Sequence, residues 1–172
     1  EKCGVEVTRS KVRRERMGHI ALASPVAHIW YSKGTPNKMS LIIGISPKEL
    51  ESVLYFARYI VTESGGTALK EGKILTEREY KMYQTQHGNK IGAMMGAEAI
   101  MKLLSKLDVK QSEQELEKEL EEVESVQKRK KIVKRLKIVR DFINSENKPE
   151  WMILEDLPVI SADLRPMVQL DG

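Results

Sequence analysis

A single cysteine, Cys3, stands among 172 residues. No disulfide can therefore close within the chain, and the usage fits a reducing compartment. No apolar run reaches the roughly 18 residues of a membrane span. The first residues are charged and lack the apolar core of a secretory leader. The 11 glycines include the pair Gly65-Gly66, but no Lys-Ser or Lys-Thr follows it as a phosphate loop requires. His19 and His28 have no Cys or His neighbour at ligand spacing, so both read as structural histidines. No aspartate cluster suits metal-assisted phosphoryl transfer, and no Ser, His and Asp stand at suggestive spacing. Catalytic residues are accordingly not expected.

What is abundant is charge. Charged residues make up 31% of the chain and hydrophobic ones 41%, with a net charge of +4. That composition is globular, with a polar bias that suits long exposed helices. The length holds one domain with a fair core, or one domain and an appendage. Segregation of charge says more than the total. Gln111–Val126 carries seven glutamates against Lys118, with an apolar stripe at Leu116, Leu120 and Val123. Gln127–Ile143 reverses the sign: Lys128, Arg129, Lys130, Lys131, Lys134, Arg135, Lys137 and Arg140 all precede its first acid, Asp141. Its apolar residues Ile132, Leu136, Val139 and Ile143 recur with helical period. Two helices of opposite charge, each with one seam, suggest an antiparallel hairpin over about 111–146. No Gly or Pro marks a turn near Ser125, which leaves a single long helix as the alternative.

Lys130, Lys134 and Lys137 fall on a neighbouring stripe. Such a row is either a solvated face neutralised by the acidic helix or a surface that tracks phosphates by position and charge without reading bases. No aromatic residue is interleaved until Phe142, which argues against single-strand stacking.

Along the rest of the chain, Val5–Arg16 reads as a strand running into a basic loop, with Arg9, Lys11, Arg13, Arg14 and Arg16 as a second cationic cluster. Gly18–Trp30, split by Pro25, suits two short strands or one bent strand. Trp30–Pro36 is expected as a turn that displays Lys33. Ser46-Pro47-Lys48-Glu49 and Thr76-Glu77-Arg78-Glu79 are helix starts with capping boxes. The first of these helices should turn Leu50, Val53, Leu54 and Ala57 inward. Tyr59–Thr62 reads as a strand. Gly88 should end the second capped helix, and a third should run from about Met94 to Leu107. Pro149 stops helix, and Trp151–Leu154 reads as a buried strand before an extended tail. The fold class is α+β, mainly helical, with short antiparallel strands. Cys3-Gly4 also has the look of half a metal knuckle, although one thiolate cannot hold zinc, which needs four ligands.

Four strings carry a family resemblance, in order along nearly the whole chain: EKCGVEVTRSKVRRERMGHIALASPVAHIW, SPKELESVLYFARYIV, MGAEAI and KRKKIVKRLKIVRDFINSENKPEWMILEDLPVISADLRPMVQLDG. Together they resemble the largest (β′) subunit family of bacterial DNA-directed RNA polymerase. The resemblance is weakest over Lys90–Val126. Ser161-Ala162 also departs from the two prolines of the family pattern PPDLRP. It implies part of the subunit's clamp, with a zinc-ribbon remnant over 1–17 and a clamp region over 18–172. Cys3 would be the last of four zinc-binding cysteines, the other three lying upstream. Lys33, Lys128, Arg129, Lys130, Lys131, Lys134, Arg135 and Lys137 would face downstream duplex DNA, and the Arg9–Arg16 cluster would lie near the zinc ribbon. The resemblance further implies a nucleotidyltransferase complex with β, α and ω subunits and sigma factor docking on an adjacent region. Magnesium would be bound by aspartates beyond Gly172, and the location would be cytoplasmic, at the nucleoid. The alternative is a docking module for a transcription factor through the acidic helix, with no direct role on DNA.

Overall fold

Local capping chemistry starts several of the helices, and apolar seams decide where they pack. The structure is a computed structural model that describes residues 3, 4 and 6–165. The expected opening strand is not found. Residues 6–9 are irregular, Val5 lies outside the described residues, and a short helix α1 (Ser10–Glu15) takes the place of the basic loop. It has no side-chain N-cap and buries nothing. Strand β1 (Gly18–Ala27) runs through Pro25 as one strand, and His19 on it is exposed rather than packed.

The expected turn after Trp30 is a turn of helix, α2 (Ile29–Ser32). His28 caps it, Nδ1 accepting from the Trp30 N–H at 3.1 Å. The next helix, α3 (Lys38–Ile43), is capped by Asn37, whose side chain accepts from the Ser40 N–H at 2.8 Å, and ends on Gly44 in the left-handed region at φ 87°. Helix α4 (Pro47–Leu54) has the expected capping box, with the Ser46 N–H donating to Glu49 at 2.8 Å and the Glu49 N–H to Ser46 at 3.2 Å. Leu50 and Val53 are fully buried. Ala57 lies past the helix end and is exposed.

Strand β2 (Tyr59–Glu63) is central in a three-stranded antiparallel sheet, between β3 (Ile74–Leu75) and β4 (Gly92–Met94). Tyr59 pairs with Leu75 and Ile60 with Met94, and the register shifts between Val61 and Glu63. Helix α5 (Glu77–His87) begins with the Thr76–Glu79 capping box and ends at Gly88. Helix α6 (Gly96–Lys106) buries Ala99, Ile100 and Leu104. Then come α7 (Val109–Glu122), capped by Asp108, and α8 (Val126–Ser145). They form two helices, not one, because Val123–Ser125 is non-helical. Arg140 on α8 reaches back to Glu113 and Glu117 on α7, which sets the pair antiparallel. A continuous helix would leave both seams in water, whereas folding back buries Leu116 against the core that holds Ile132, Leu136 and Val139. Strand β5 (Ile153–Val159) follows a 3-10 turn over Pro149–Met152 and pairs with β1. The expected buried strand is thus displaced: Met152 and Ile153 are buried, but Trp151 is 58% exposed in the turn.

The chain divides into two compact units, one of residues 1–24 with 155–172, the other of Pro25–Leu154. In the first, Arg14 pairs with Asp163 at 2.9 Å. The second holds the main core, where α3, α4, α6, α7 and α8 contribute Met39, Leu50, Ile100, Leu116 and Leu136. A smaller cluster of Val61, Leu69, Leu75 and Ile91 lies at the three-stranded sheet.

Candidate nucleic-acid interface

The basic helix α8 has one buried face and one cationic face. Ile132, Leu136, Ile138 and Val139 are buried, each such side chain contributing about 1.5–3 kcal/mol. That anchorage holds the opposite face in place. Lys130, Lys134 and Lys137 are exposed on it, and Lys128, Arg129 and Lys131 are exposed around the N-terminal turns of the helix. Among the described residues, Arg140 is the one α8 cation within 4.0 Å of an acid. Its Nε donates to Glu113 at 2.8 Å and its Nη2 to Glu117 at 2.6 Å. These two carboxylates raise its pKa further above the ordinary arginine value. The ridge is therefore not folded back onto the glutamates of α7.

Arg135 differs from its neighbours. It is half-buried, and its Nε donates to the Leu41 carbonyl oxygen at 2.9 Å. The rest of its guanidinium lies against Gly44, where a Cβ would stand 3.0 Å from Nη2. A signal for this was present in the sequence. Positions 132, 135, 136 and 139 are i, i+3, i+4 and i+7, so Arg135 occupies a slot of the inward stripe.

The N-terminal turns of α8 are electrostatically unfavourable by themselves. There is no acid in the first turn and Ser125 makes no side-chain cap bond. Lys128 and Arg129 instead crowd the positive end of the helix dipole, where each cation costs about 0.3–1 kcal/mol. By helix geometry, Lys130, Lys134 and Lys137 extend over about 10 Å of axis.

Lys33 sits apart from the ridge, at the C-cap of α2. Its Nζ lies 5.2 Å from the centre of the Tyr55 ring and 4.0 Å from Glu51. The Tyr55 hydroxyl, chiefly, and Glu51 raise its pKa above the usual lysine value. In the N-terminal cluster, Arg14 pairs with Asp163, Arg16 with Glu6 and Lys11 with Glu15. Cys3 is a free, exposed thiol. Among the described residues, no three His, Cys, Asp or Glu gather as a metal site. The residues present do not by themselves fit zinc.

Fold and charge define a mainly helical α+β module carrying one strongly basic helix. The chain belongs to the family of RNA polymerase Rpb1, domain 1, whose model matches residues 1–172. Over all of its 172 residues it is 72% identical to the DNA-directed RNA polymerase subunit beta′ of Fusobacterium nucleatum, covering 13% of that protein. Identity is 58% to the subunit of the same name from Symbiobacterium thermophilum and 56% to that from Caldanaerobacter subterraneus, again over the whole chain and 14% of each relative. The chain thus spans only a small part of the relatives it matches. No helix among the described residues is long and apolar enough to cross a membrane.

Proposed function

We propose that the chain is the part of a polymerase clamp that holds duplex DNA by its phosphates while nucleotide addition proceeds elsewhere in the complex. The observation that carries this reading is the exposed row Lys130, Lys134 and Lys137, with no acid within 4.0 Å among the described residues, on a helix whose other face is buried. Its relatives are named as subunits of DNA-directed RNA polymerase, an enzyme that moves along a polyanionic template. In that assembly the chain would pack with other polymerase subunits, lie beside the region that docks sigma factor, and contribute no catalytic group. Magnesium would belong to the active centre outside it. Cys3 would be one of four zinc ligands, the other three coming from elsewhere.

The chemistry suits a grip that does not read sequence. Each Lys ammonium is a point charge on a flexible stem and meets any phosphate equally well. Binding comes from released counterions, so one register of duplex is held as firmly as the next, and DNA can advance past the ridge. The Lys130–Lys137 row, about 10 Å long, matches the axial rise of about three phosphates of one strand at 3.4 Å of duplex axis each. Lys33 would contribute less, because Glu51 stands beside it. Arg135 would act from behind the surface, holding α8 against α3. The cations of the first turn of α8 raise the energy of the free helix, and a phosphate placed there relieves it.

The alternative, docking of a transcription factor on α7, has less support, since Glu113 and Glu117 are already engaged by Arg140. The test is retention of duplex by whole polymerase carrying Lys130→Ala, Lys134→Ala and Lys137→Ala. Loss should be equal on AT-rich and GC-rich duplexes. Unchanged retention, or loss on one sequence only, would remove this reading.

A further inference from the structure

A cavity of about 350 Å³ opens between the C-terminal half of α8, the turn that follows it, and the α2–α3 region. Its floor is Ile138 and Met152, both buried. Tyr31 and Phe142, half-buried, line its walls, and Trp151 stands 58% exposed at its margin. Two exposed lysines, Lys38 and Lys148, the carboxylate of Asp141, and Ser145 and Asn147 complete the lining. Lys38 Nζ lies 5.6 Å from the centre of the Tyr31 ring. Among the described residues, neither lysine has an acid within 4.0 Å.

We propose that this cavity takes one unstacked base of a single-stranded nucleic acid, with Trp151 as the stacking surface and Lys38 and Lys148 as contacts to the flanking phosphates. The volume is at the small end of ligand sites, about 300–1,000 Å³; it suits a nucleobase and excludes a duplex. Aromatic faces beside unpaired cations are the chemistry of single-strand binding, because every base has a π-face and every link a charge. Read alone, α8 offers only Phe142. The fold supplies two more aromatics, Trp151 from the turn just past the helix and Tyr31 from a distant stretch. Asp141 adds a preference: as an acceptor it favours bases with exocyclic amino groups, and its charge keeps the phosphate on the lysine side. The site is separate from the duplex-holding ridge and stands or falls independently of it.

The test uses the 172-residue chain carrying Trp30→Phe, which leaves Trp151 as its one tryptophan. Eight-nucleotide dC and dT strands and a blunt duplex are the probes. Single strands should quench Trp151 saturably, dC more tightly than dT, and the duplex should not. With labelled strands followed by anisotropy, Trp151→Leu should weaken binding about 5- to 100-fold. Lys38→Ala with Lys148→Ala should lower the log–log salt slope by about 1.4, the single-strand value for two phosphates. Asp141→Ala, an exposed change that removes the acceptor, should erase the preference for dC without unfolding the chain. Equal quenching by duplex would overturn the proposal. So would single-strand binding unchanged by Trp151→Leu, an outcome that would leave the cavity as a seat for a protein side chain. A dC preference that survives Asp141→Ala would contradict the assigned orientation of the base and overturn the site as drawn.

Discussion

Arg135 on the basic helix donates through Nε to the carbonyl oxygen of Leu41, 2.9 Å away and 94 positions back in the chain. One cation of the row thus ties α8 to α3, while its neighbours face solvent. A charged donor on a backbone acceptor contributes about 1.5–3 kcal/mol. Arg135→Ala should therefore destabilise the chain by about 1–3 kcal/mol in urea unfolding, whereas Lys134→Ala should stay within about 0.5 kcal/mol. Equal losses would mean that Arg135 is merely another surface cation.

Gly44 is coupled to the same side chain. It sits at φ 87°, and a Cβ there would stand 3.0 Å from Arg135 Nη2. Gly44→Ala should cost about 1–2 kcal/mol from the left-handed backbone alone, and more from the crowding. The double variant with Arg135→Ala should lose less than the sum of the single losses. Strict additivity in the unfolding cycle would show that the two residues do not touch in solution.

How much of this was legible beforehand depends on how local each signal is. The capping boxes at Ser46 and Thr76, the stop at Gly88 and the opposed charges of α7 and α8 all lie within a few residues of what they determine, and each is found in the structure. The helices α2 and α3 were not legible, because each is under two turns and is held by packing against distant elements. Helix α1 shows no apolar period at all. Trp151 read as buried because it opens the apolar run Trp151–Leu154, yet the 3-10 turn rotates it outward. Most of the cavity's lining lies in one stretch, 138–152, but Tyr31 and Lys38, which close it, come from a distant part of the chain. Arg135 is the instructive case among the candidate site residues. Counting its charge put it on the ridge, whereas counting its helical position would have put it inside.

The hairpin lock between Arg140 and the pair Glu113–Glu117 is half-exposed, so its contribution should be modest. A double-mutant cycle of Arg140→Ala with Glu117→Ala should give about 0.2–1 kcal/mol of coupling, shrinking as salt is added. Coupling that persists unchanged in 1 M salt would point to a desolvated pair instead.

Two capping carboxylates give the fold an acid limit. The Ser46 backbone N–H, with its hydroxyl, holds Glu49 below its ordinary pKa of 4.5, and Thr76 does the same for Glu79. A lowered folded pKa means stability that is complete above about 4.5 and lost as pH falls through the lower folded values. Glu49→Gln with Glu79→Gln keeps an acceptor at each cap but removes the titration. Its unfolding free energy should fall less steeply below pH 4.5 than that of the parent chain. Parallel curves would assign the acid limit to other groups.

The salt dependence of duplex binding by whole polymerase tests the central claim most directly. With Lys130, Lys134 and Lys137 changed to Ala, the slope of log affinity against log salt should fall in magnitude by up to about 3, at roughly 0.9 per lost phosphate contact. An unchanged slope would contradict the account, because it would show that the exposed cations of α8 hold no phosphate.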